Sequence, residues 1–109
     1  MTGAASGIGK ATALLLARSG ARVTAADIDG PGVGRLRTEL AAEGIGVIVV
    51  TGDVADPRAN RAMVEAAVEA YGRLDVAVAN AGALPLSDVN ETSPEDWDHV
   101  MAVDGRGAF

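Results

Sequence analysis

Three glycines cluster ahead of a stretch with the periodicity of an amphipathic helix. Residues 2–9 read TGAASGIG, and apolar residues then recur at helical spacing. Backbone N–H groups at the mouth of a helix, together with its positive end, bind phosphate groups, and larger side chains in the turn would block the approach. The pattern indicates a pyrophosphate site. The alternative is a glycine-rich turn without a ligand.

An acidic residue ends the next predicted strand. Asp27 closes the strand Arg22–Asp27, about 20 residues beyond the glycines. A carboxylate there accepts hydrogen bonds from both ribose hydroxyls of an adenosine and repels a 2′-phosphate. Asp27 could instead be a turn residue, because the sequence Asp-Gly-Pro follows at 29–31. The spacing and the strand context favour the ribose role.

Two later strands also end in candidate ligand groups. Asp53 and Val54 follow the predicted strand Val47–Thr51, and Asn-Ala-Gly at 80–82 closes the predicted strand Val76–Asn80. In an open α/β sheet, ligands bind outside the carboxyl ends of the strands, so we expect one shared crevice. Taken singly, each of these groups could be only a turn.

Strand-like and helix-like periodicities alternate along the chain, which indicates an α/β fold. The predicted strands at 47–50 and 76–79 contain apolar runs without alternation, as in interior parallel strands. Helices should begin at Asp56-Pro57 and Ser93-Pro94 and end at Gly20, Gly44 and Gly72. The helices should bury apolar stripes formed by Ile8, Ala11 and Leu15; by Val33, Leu36 and Leu40; and by Val64, Ala67, Val68 and Tyr71.

Composition narrows the classes of partner. The 109 residues carry a net charge of −6 and no cysteine, and Lys10 is the only lysine. We therefore expect no nucleic-acid partner, no disulfide and no metal site. No apolar run approaches the roughly 20 residues of a membrane helix, and no export signal is visible, so we expect a cytoplasmic protein without a membrane partner.

The motifs together resemble the short-chain dehydrogenase/reductase family from Thr2 to Phe109. The resemblance rests on TGAASGIG, Asp27, the pair at 53–54, the Asn-Ala-Gly motif and the segment WDHVMAVDGRGAF. It implies diphosphate and adenosine contacts at the glycine turn, selection of NAD over NADP by Asp27, adenine contacts at 53–54 and a nicotinamide-side ribose near 80–82. The predicted cofactor-binding residues are Gly3, Ser6, Gly7, Ile8, Gly9, Asp27, Asp53, Val54, Asn80, Ala81 and Gly82.

The resemblance implies an oxidoreductase that moves a hydride between nicotinamide and an alcohol or ketone. The resemblance implies that the family's catalytic serine and its Tyr-x-x-x-Lys pair would follow after Phe109. Tyr71 does not begin such a pair, because Asp75 stands four residues after it. We therefore predict no catalytic residue and no turnover from these residues alone. The alternatives are a non-catalytic nucleotide-binding or sheet-completing interaction module, and a fragment without function. Family members often form dimers or tetramers, so a homo-oligomer is a further expectation.

A doubly wound sheet places a strand before the glycine turn, yet only Met1 precedes Thr2. The sequence therefore predicts one partial NAD-binding Rossmann-like domain over 1–109, a doubly wound parallel sheet without its first strand, truncated at both ends.

Two residues depart from the family pattern. The family usually has an asparagine in place of Asp104 and often has a second asparagine in place of Ala79. By helical spacing Asp104 continues the stripe of Trp97, Val100 and Met101, so we expect a buried carboxylate. It could support catalysis, or it could be exposed at a frayed end. We expect His99 on a solvated helix face, Lys10 exposed and Tyr71 packed in the core.

Overall fold

Helices and strands alternate around a parallel sheet, which confirms the predicted α/β class. A computed structural model describes residues 1–85 and 87–109. Its elements are α1 (Gly7–Arg18), β1 (Thr24–Asp27), α2 (Gly30–Ala42), β2 (Ile48–Thr51), α3 (Pro57–Tyr71) and α4 (Pro94–Val100), and a π-helical segment (Met101–Arg106) continues α4.

The two strands end side by side. β1 and β2 pair in parallel, with Thr24 opposite Ile48 and Asp27 opposite Thr51. Beyond this pairing, the Gly52 amide donates to the Asp27 carbonyl at 3.0 Å. The residues that follow β2 therefore lie next to the end of β1, as the predicted crevice requires.

The third predicted strand, Val76–Asn80, is wrong as a regular strand, because the structure assigns no strand there. The backbone that runs between this segment and β1 is that of Met1 and Thr2. Thr2 forms an isolated parallel bridge with Ala26, and its amide donates to the Val78 carbonyl at 3.0 Å. A strand requires a ladder along a neighbour, and two residues supply too short a ladder. Val76 is 71% exposed rather than interior.

The core lies on both faces of β1. Ala25 packs in a cluster with Leu36 and Leu40 of α2, whereas Ala26 packs on the other face with Val54 and Met63. Successive strand residues point to opposite faces, so the two alanines serve two layers. The predicted stripe of α2 is confirmed, because its two leucines are fully buried and Val33 is nearly so.

The stripe predicted for α1 is wrong. Ile8 and Leu15 are 78% and 66% exposed, while Gly9, Ala13 and Ala17 face the core at a spacing of four residues. Small side chains let the helix axis approach the sheet closely, and that contact outweighs the burial of the larger residues. In α3 the buried residues are Met63 and Ala67, whereas the predicted Val64 and Val68 are nearly half exposed.

The predicted helix ends are confirmed. Asp56 accepts a hydrogen bond from the Arg58 amide at 2.9 Å, and Ser93 with Asp96 forms a capping box at the start of α4. Gly20, Gly44 and Gly72 all have positive φ, which places each in the conformation that ends a helix.

A second cavity of about 560 Å³ borders β1 beside Met1 and Thr2. Val64, Leu74, Val76 and Phe109 are among its lining residues. Tyr71 borders it too, half-buried rather than fully packed, and its hydroxyl donates to the Val23 carbonyl at 2.9 Å. In the described part of the chain, no helix is long and apolar enough to cross a membrane.

Candidate functional site

A cleft of about 610 Å³ opens at the carboxyl ends of the strands and brings all eleven predicted cofactor-binding residues together. The predicted residues in its lining are Gly3, Ser6, Gly7, Ile8, Gly9, Asp27, Asp53, Val54, Asn80, Ala81 and Gly82. Groups that are up to 79 positions apart in sequence thus share one surface. This is the location where open α/β sheets bind ligands.

A hydrogen bond joins Asp27 directly to the glycine turn. Its Oδ2 accepts from the Ala5 amide at 2.9 Å, and its Oδ1 accepts from the Asp29 amide at 3.0 Å. The second bond is the local turn contact that the alternative interpretation of Asp27 requires. The first bond goes further, because it fixes the carboxylate beside the mouth of α1.

The glycine turn depends on two conformations and one close approach. Gly3 and Gly7 have φ of +66° and +50°, a region that disfavours other residues. A Cβ at Gly9 would lie 1.8 Å from the Gly3 carbonyl oxygen, so only a glycine fits. The helix and the turn are therefore in backbone contact.

The mouth of α1 is not capped by a side chain. Ser6 occupies the N-cap position without a side-chain hydrogen bond to the helix, whereas Asp29, Asp56 and Ser93 cap α2, α3 and α4. Among the α-helices of residues 1–85 and 87–109, α1 alone thus keeps its first N–H groups clear of a capping side chain. Those groups face the cleft, where a phosphate would meet them.

Hydrogen bonds of Asn80 connect the segment 80–82 to the glycine turn. Its Nδ2 donates to the carbonyls of Thr2 at 3.1 Å and Gly3 at 3.4 Å. The amides of Asn80 and Ala81 both donate to Thr2 Oγ1 at 3.1 Å. This bracing holds Ala81 and Gly82 beside the glycine turn, where both line the cleft.

Asp53 and Val54 form the side of the cleft that follows β2. Asp53 Oδ1 accepts from the Ala55 amide at 2.8 Å, which is the local turn contact noted as its alternative. Val54 is buried and packs against Val103 and Met63. Asp53 and Val54 thus line this side of the cleft with one polar and one apolar residue.

Asp104 is exposed, so the predicted buried carboxylate is wrong. Trp97 and Met101 are also largely exposed, at 63% and 49%, and Val103 is the residue buried from this segment. The stripe already fails in α4, where Trp97 is exposed, and the π-helical segment buries Val103 instead of Met101. Asp104 Oδ1 accepts from the Ala83 amide at 2.8 Å and thereby steadies the end of the Asn-Ala-Gly segment.

The cleft lining also contains five residues that the sequence analysis did not predict as ligand groups: Ile28, Gly52, Ala83, His99 and Val103. The first three directly adjoin predicted residues, so a wider window around each strand end would have found them. His99 and Val103 are four residues apart, which is one turn of a helix facing the cleft. His99 is exposed, as expected, yet it also lies at the rim of this surface.

Charged groups near the start of α1 are engaged elsewhere. Lys10 Nζ lies 2.9 Å from Glu39 of α2 and is absent from the cleft lining, so it is a paired surface lysine. Within the described ranges no group of three or more His, Cys, Asp or Glu side chains could hold a metal ion.

Comparison with known proteins identifies this architecture. The family described as short chain dehydrogenase matches residues 1–109. The chain belongs to that family. Its members are NAD(P)-binding oxidoreductases, and the predicted family and partial Rossmann-like fold are both confirmed.

A curated relative and two crystal structures illustrate the match. A 3-oxoacyl-(acyl-carrier-protein) reductase of Thermotoga maritima is 43% identical over 111 residues, covering 100% of this chain and 44% of the relative. A Burkholderia phymatum short chain dehydrogenase/reductase in complex with NAD has a TM-score of 0.94 and 35% identity, covering 99% of this chain and 38% of the other. A Brucella melitensis 3-ketoacyl-(acyl-carrier-protein) reductase complexed with NADH has a TM-score of 0.88 and 33% identity, covering 98% and 43%. The chain therefore spans less than half the length of these proteins.

Proposed function

We propose that residues 1–109 form the NAD-binding domain of an oxidoreductase that transfers a hydride between nicotinamide and an alcohol or ketone. The observation that carries the proposal is the 2.9 Å hydrogen bond from the Ala5 amide to Asp27, which holds a ribose-binding carboxylate beside an uncapped helix mouth. The solved neighbours in complex with NAD and NADH support the same cofactor class.

The glycine turn fits a diphosphate. Gly7 lines the cleft, and a Cβ built on it meets no atom within 4 Å, so its missing side chain leaves open space at the helix mouth. The N–H groups that Ser6 leaves uncapped are the natural donors to phosphate oxygens. Gly3 and Gly9 keep the turn close enough to the helix for these donors to converge.

Asp27 keeps acceptor capacity for a ribose. An ionised carboxylate offers about four lone-pair sites, and the amides of Ala5 and Asp29 use two of them. The remaining sites are enough for the two ribose hydroxyls. A 2′-phosphate would instead meet a like charge at hydrogen-bond distance, so we propose selectivity for NAD over NADP.

We assign different parts of the cleft lining to different parts of the cofactor. Val54, with Asp53 beside it, would receive the adenine, and the Asn80–Gly82 wall would receive the nicotinamide-side ribose. The bound cofactor supplies the hydride chemistry, and these residues bind and orient it. The only tyrosine, Tyr71, bonds to Val23 and borders the second cavity, so we expect no proton transfer and no turnover from residues 1–109 alone.

A titration with NADH and NADPH tests the proposal. We expect the chain to bind NADH more tightly than NADPH. Asp27→Asn should reduce this difference in affinity, while the asparagine oxygen can still accept one of the two backbone hydrogen bonds of Asp27. Glu65→Gln, an exposed charge change on α3, serves as the control and should change neither affinity. Equal binding of both dinucleotides by the unmodified chain would contradict the selectivity, and binding of neither would contradict the proposal.

One observation favours a second candidate, a sheet-completing interaction module. The edge of β1 that Met1 and Thr2 cover only in part borders the cavity of about 560 Å³, and exposed strand edges pair readily with other chains. Sedimentation at several concentrations tests it. Association that strengthens with concentration, without dinucleotide binding, would favour this module over the NAD-binding domain.

A further inference from the structure

His99 lies on the wall of the proposed cofactor cleft. It stands one helical turn before Val103, which packs with Val54 in the core, and both His99 and Val103 line the cleft. His99 is exposed, and it belongs to none of the ion pairs in residues 1–85 and 87–109. The diphosphate, ribose and adenine contacts of the proposed function do not use it. The cleft thus contains an ionisable ring without an assigned role.

The cleft is acidic for a site that would hold an anion. Its ionisable side chains, among the described lining residues, are Asp27, Asp53 and His99, and only His99 can become a cation. Both phosphates of a dinucleotide are ionised, and the chain itself has a net charge of −6. A protonated imidazole on the cleft wall therefore offsets part of the repulsion between the chain and the dinucleotide.

We propose that protonation of His99 strengthens the binding of the anionic dinucleotide in the cleft. The inference rests on the proposed NAD-binding function and adds to it a further binding residue. Histidine is the side chain whose ordinary change of charge falls between about pH 5 and pH 8. Since the chain has one histidine and no cysteine, this ring makes cofactor affinity fall as the pH rises through that range.

The charged groups around α4 leave the ring available to a ligand. Asp96, one turn before His99, accepts from Ser93 Oγ at 2.7 Å and from the Ser93 amide at 3.2 Å. These hydrogen bonds lower the pKa of Asp96, and the charge of His99 lowers it further. Asp104 accepts from the Ala83 amide at 2.8 Å. The charged groups of α4 and of the π-helical segment packed against it are otherwise Glu95, Asp98 and Arg106.

The effect does not require a direct hydrogen bond to phosphate. At 0.01 M ionic strength the Debye length is about 30 Å. That distance exceeds the two shorter dimensions of the molecule, 24 and 20 Å, so a charge on the wall of the cleft acts on an anion anywhere inside it. An exposed charge contact changes affinity by up to about fivefold, and added salt weakens it.

Titrations with NAD⁺ at several pH values test the proposal at low salt. We expect the unmodified chain to bind NAD⁺ up to about fivefold more tightly at about pH 6 than at about pH 8. His99→Gln should bind at every pH with the affinity that the unmodified chain has at about pH 8. His99→Arg keeps a cation at this position and should bind tightly at every pH.

Two controls isolate the ring. Burial lowers the pKa of the Met1 amino group, so this group also titrates below its ordinary value, but it lines the second cavity and is unchanged in His99→Gln. Glu65→Gln introduces the same side chain on α3, outside the lining of both cavities. It should keep the full pH dependence.

An NMR titration of the ring gives a readout that a packing role would not move. Coupling between two binding events is reciprocal, so bound NAD⁺ must favour the protonated ring by the same factor. His99 is the only histidine, and its imidazole signal is therefore assigned without ambiguity. Saturating NAD⁺ should move the titration of this signal to higher pH by up to about 0.7 pH units, which corresponds to fivefold.

The outcomes separate this inference from the proposed function. If NAD⁺ binds with the same pH profile to the unmodified chain and to His99→Gln, the role of His99 is wrong and the proposed function stands. An imidazole titration that NAD⁺ leaves in place would overturn the inference in the same way. If the unmodified chain binds no NAD⁺ at any pH, the proposed function fails and the inference fails with it.

Discussion

Replacing Gly9 with alanine should destabilise the chain, although alanine is the better helix former. A Cβ at Gly9 would lie 1.8 Å from the Gly3 oxygen and 2.6 Å from Asn80 Nδ2, whereas real Cβ contacts are essentially never under 3.0 Å. The Gly3 carbonyl would have to move by about 1.2 Å, the difference between 3.0 and 1.8 Å. Gly3 is held at positive φ, so this backbone shift is strained.

The magnitude follows from two opposing effects. Overpacking a tight contact lowers the free energy of unfolding by about 1–3 kcal/mol. Because Gly9→Ala also forces a backbone shift, we expect a loss near the upper end of that range. The gain in helix propensity offsets about 1 kcal/mol, which leaves a net loss of about 2 kcal/mol. Thermal unfolding followed by circular dichroism should show Tm lowered by about 8 °C.

Gly34→Ala provides the matched control. Gly34 lies inside α2 with helical φ, and a Cβ there would meet no atom within 4 Å. The same substitution should then stabilise the chain by up to about 1 kcal/mol and raise Tm by about 4 °C. If the two variants shift Tm in the same direction, the close contact between the turn and α1 is refuted.

Three further perturbations follow from the structure. Asn80→Ala removes the side-chain donor to the Thr2 carbonyl. It should lower the free energy of unfolding in urea by about 1–3 kcal/mol and weaken dinucleotide binding, and unchanged binding would contradict this. Ser93→Ala removes the cap of α4 and should cost about 1 kcal/mol, measured by the same urea curves; no loss would count against the capping box. The Ser93 hydroxyl lowers the pKa of Asp96, and Arg18 lowers the pKa of Glu43. Both carboxylates therefore stabilise the folded chain at a pH above the ordinary carboxyl pKa, and this stabilisation is lost as the pH falls through their lowered pKa values. Stability measured from pH 6 to 3 should therefore decline below about pH 4, and a flat profile would contradict these two contacts.

Local chemistry explains what the sequence predicts well. Helix starts such as Asp56-Pro57 and ends such as Gly72 depend on a few neighbouring atoms, so their residue types suffice. The cleft residues were found because parallel strands end at a common edge, which brings Asp27 and Asp53 together once the strands are recognised.

Tertiary context explains what it predicts poorly. Ile8 has a large apolar side chain but is exposed, whereas Gly9, which has no side chain, packs closely against the turn and is buried. The residues 76–80 have strand propensity, but a strand also needs a neighbour along its length. Asp104 was misplaced because the apolar spacing over 97–104 does not identify the buried face, which holds Val103 rather than Trp97 or Met101.

The central claim is that the glycine turn, the Asp27 carboxylate and the 80–82 wall contact one dinucleotide at the same time. An NMR titration of ¹⁵N-labelled chain with NAD⁺ tests it most directly, because every backbone amide reports separately. We predict that the amides of Ala5, Gly7, Val54 and Ala81 shift together with a single dissociation constant, while those on the outer face of α3, such as Glu65, stay in place. Shifts along the second cavity without shifts in the turn, or different dissociation constants for the turn and the 80–82 wall, would contradict the account.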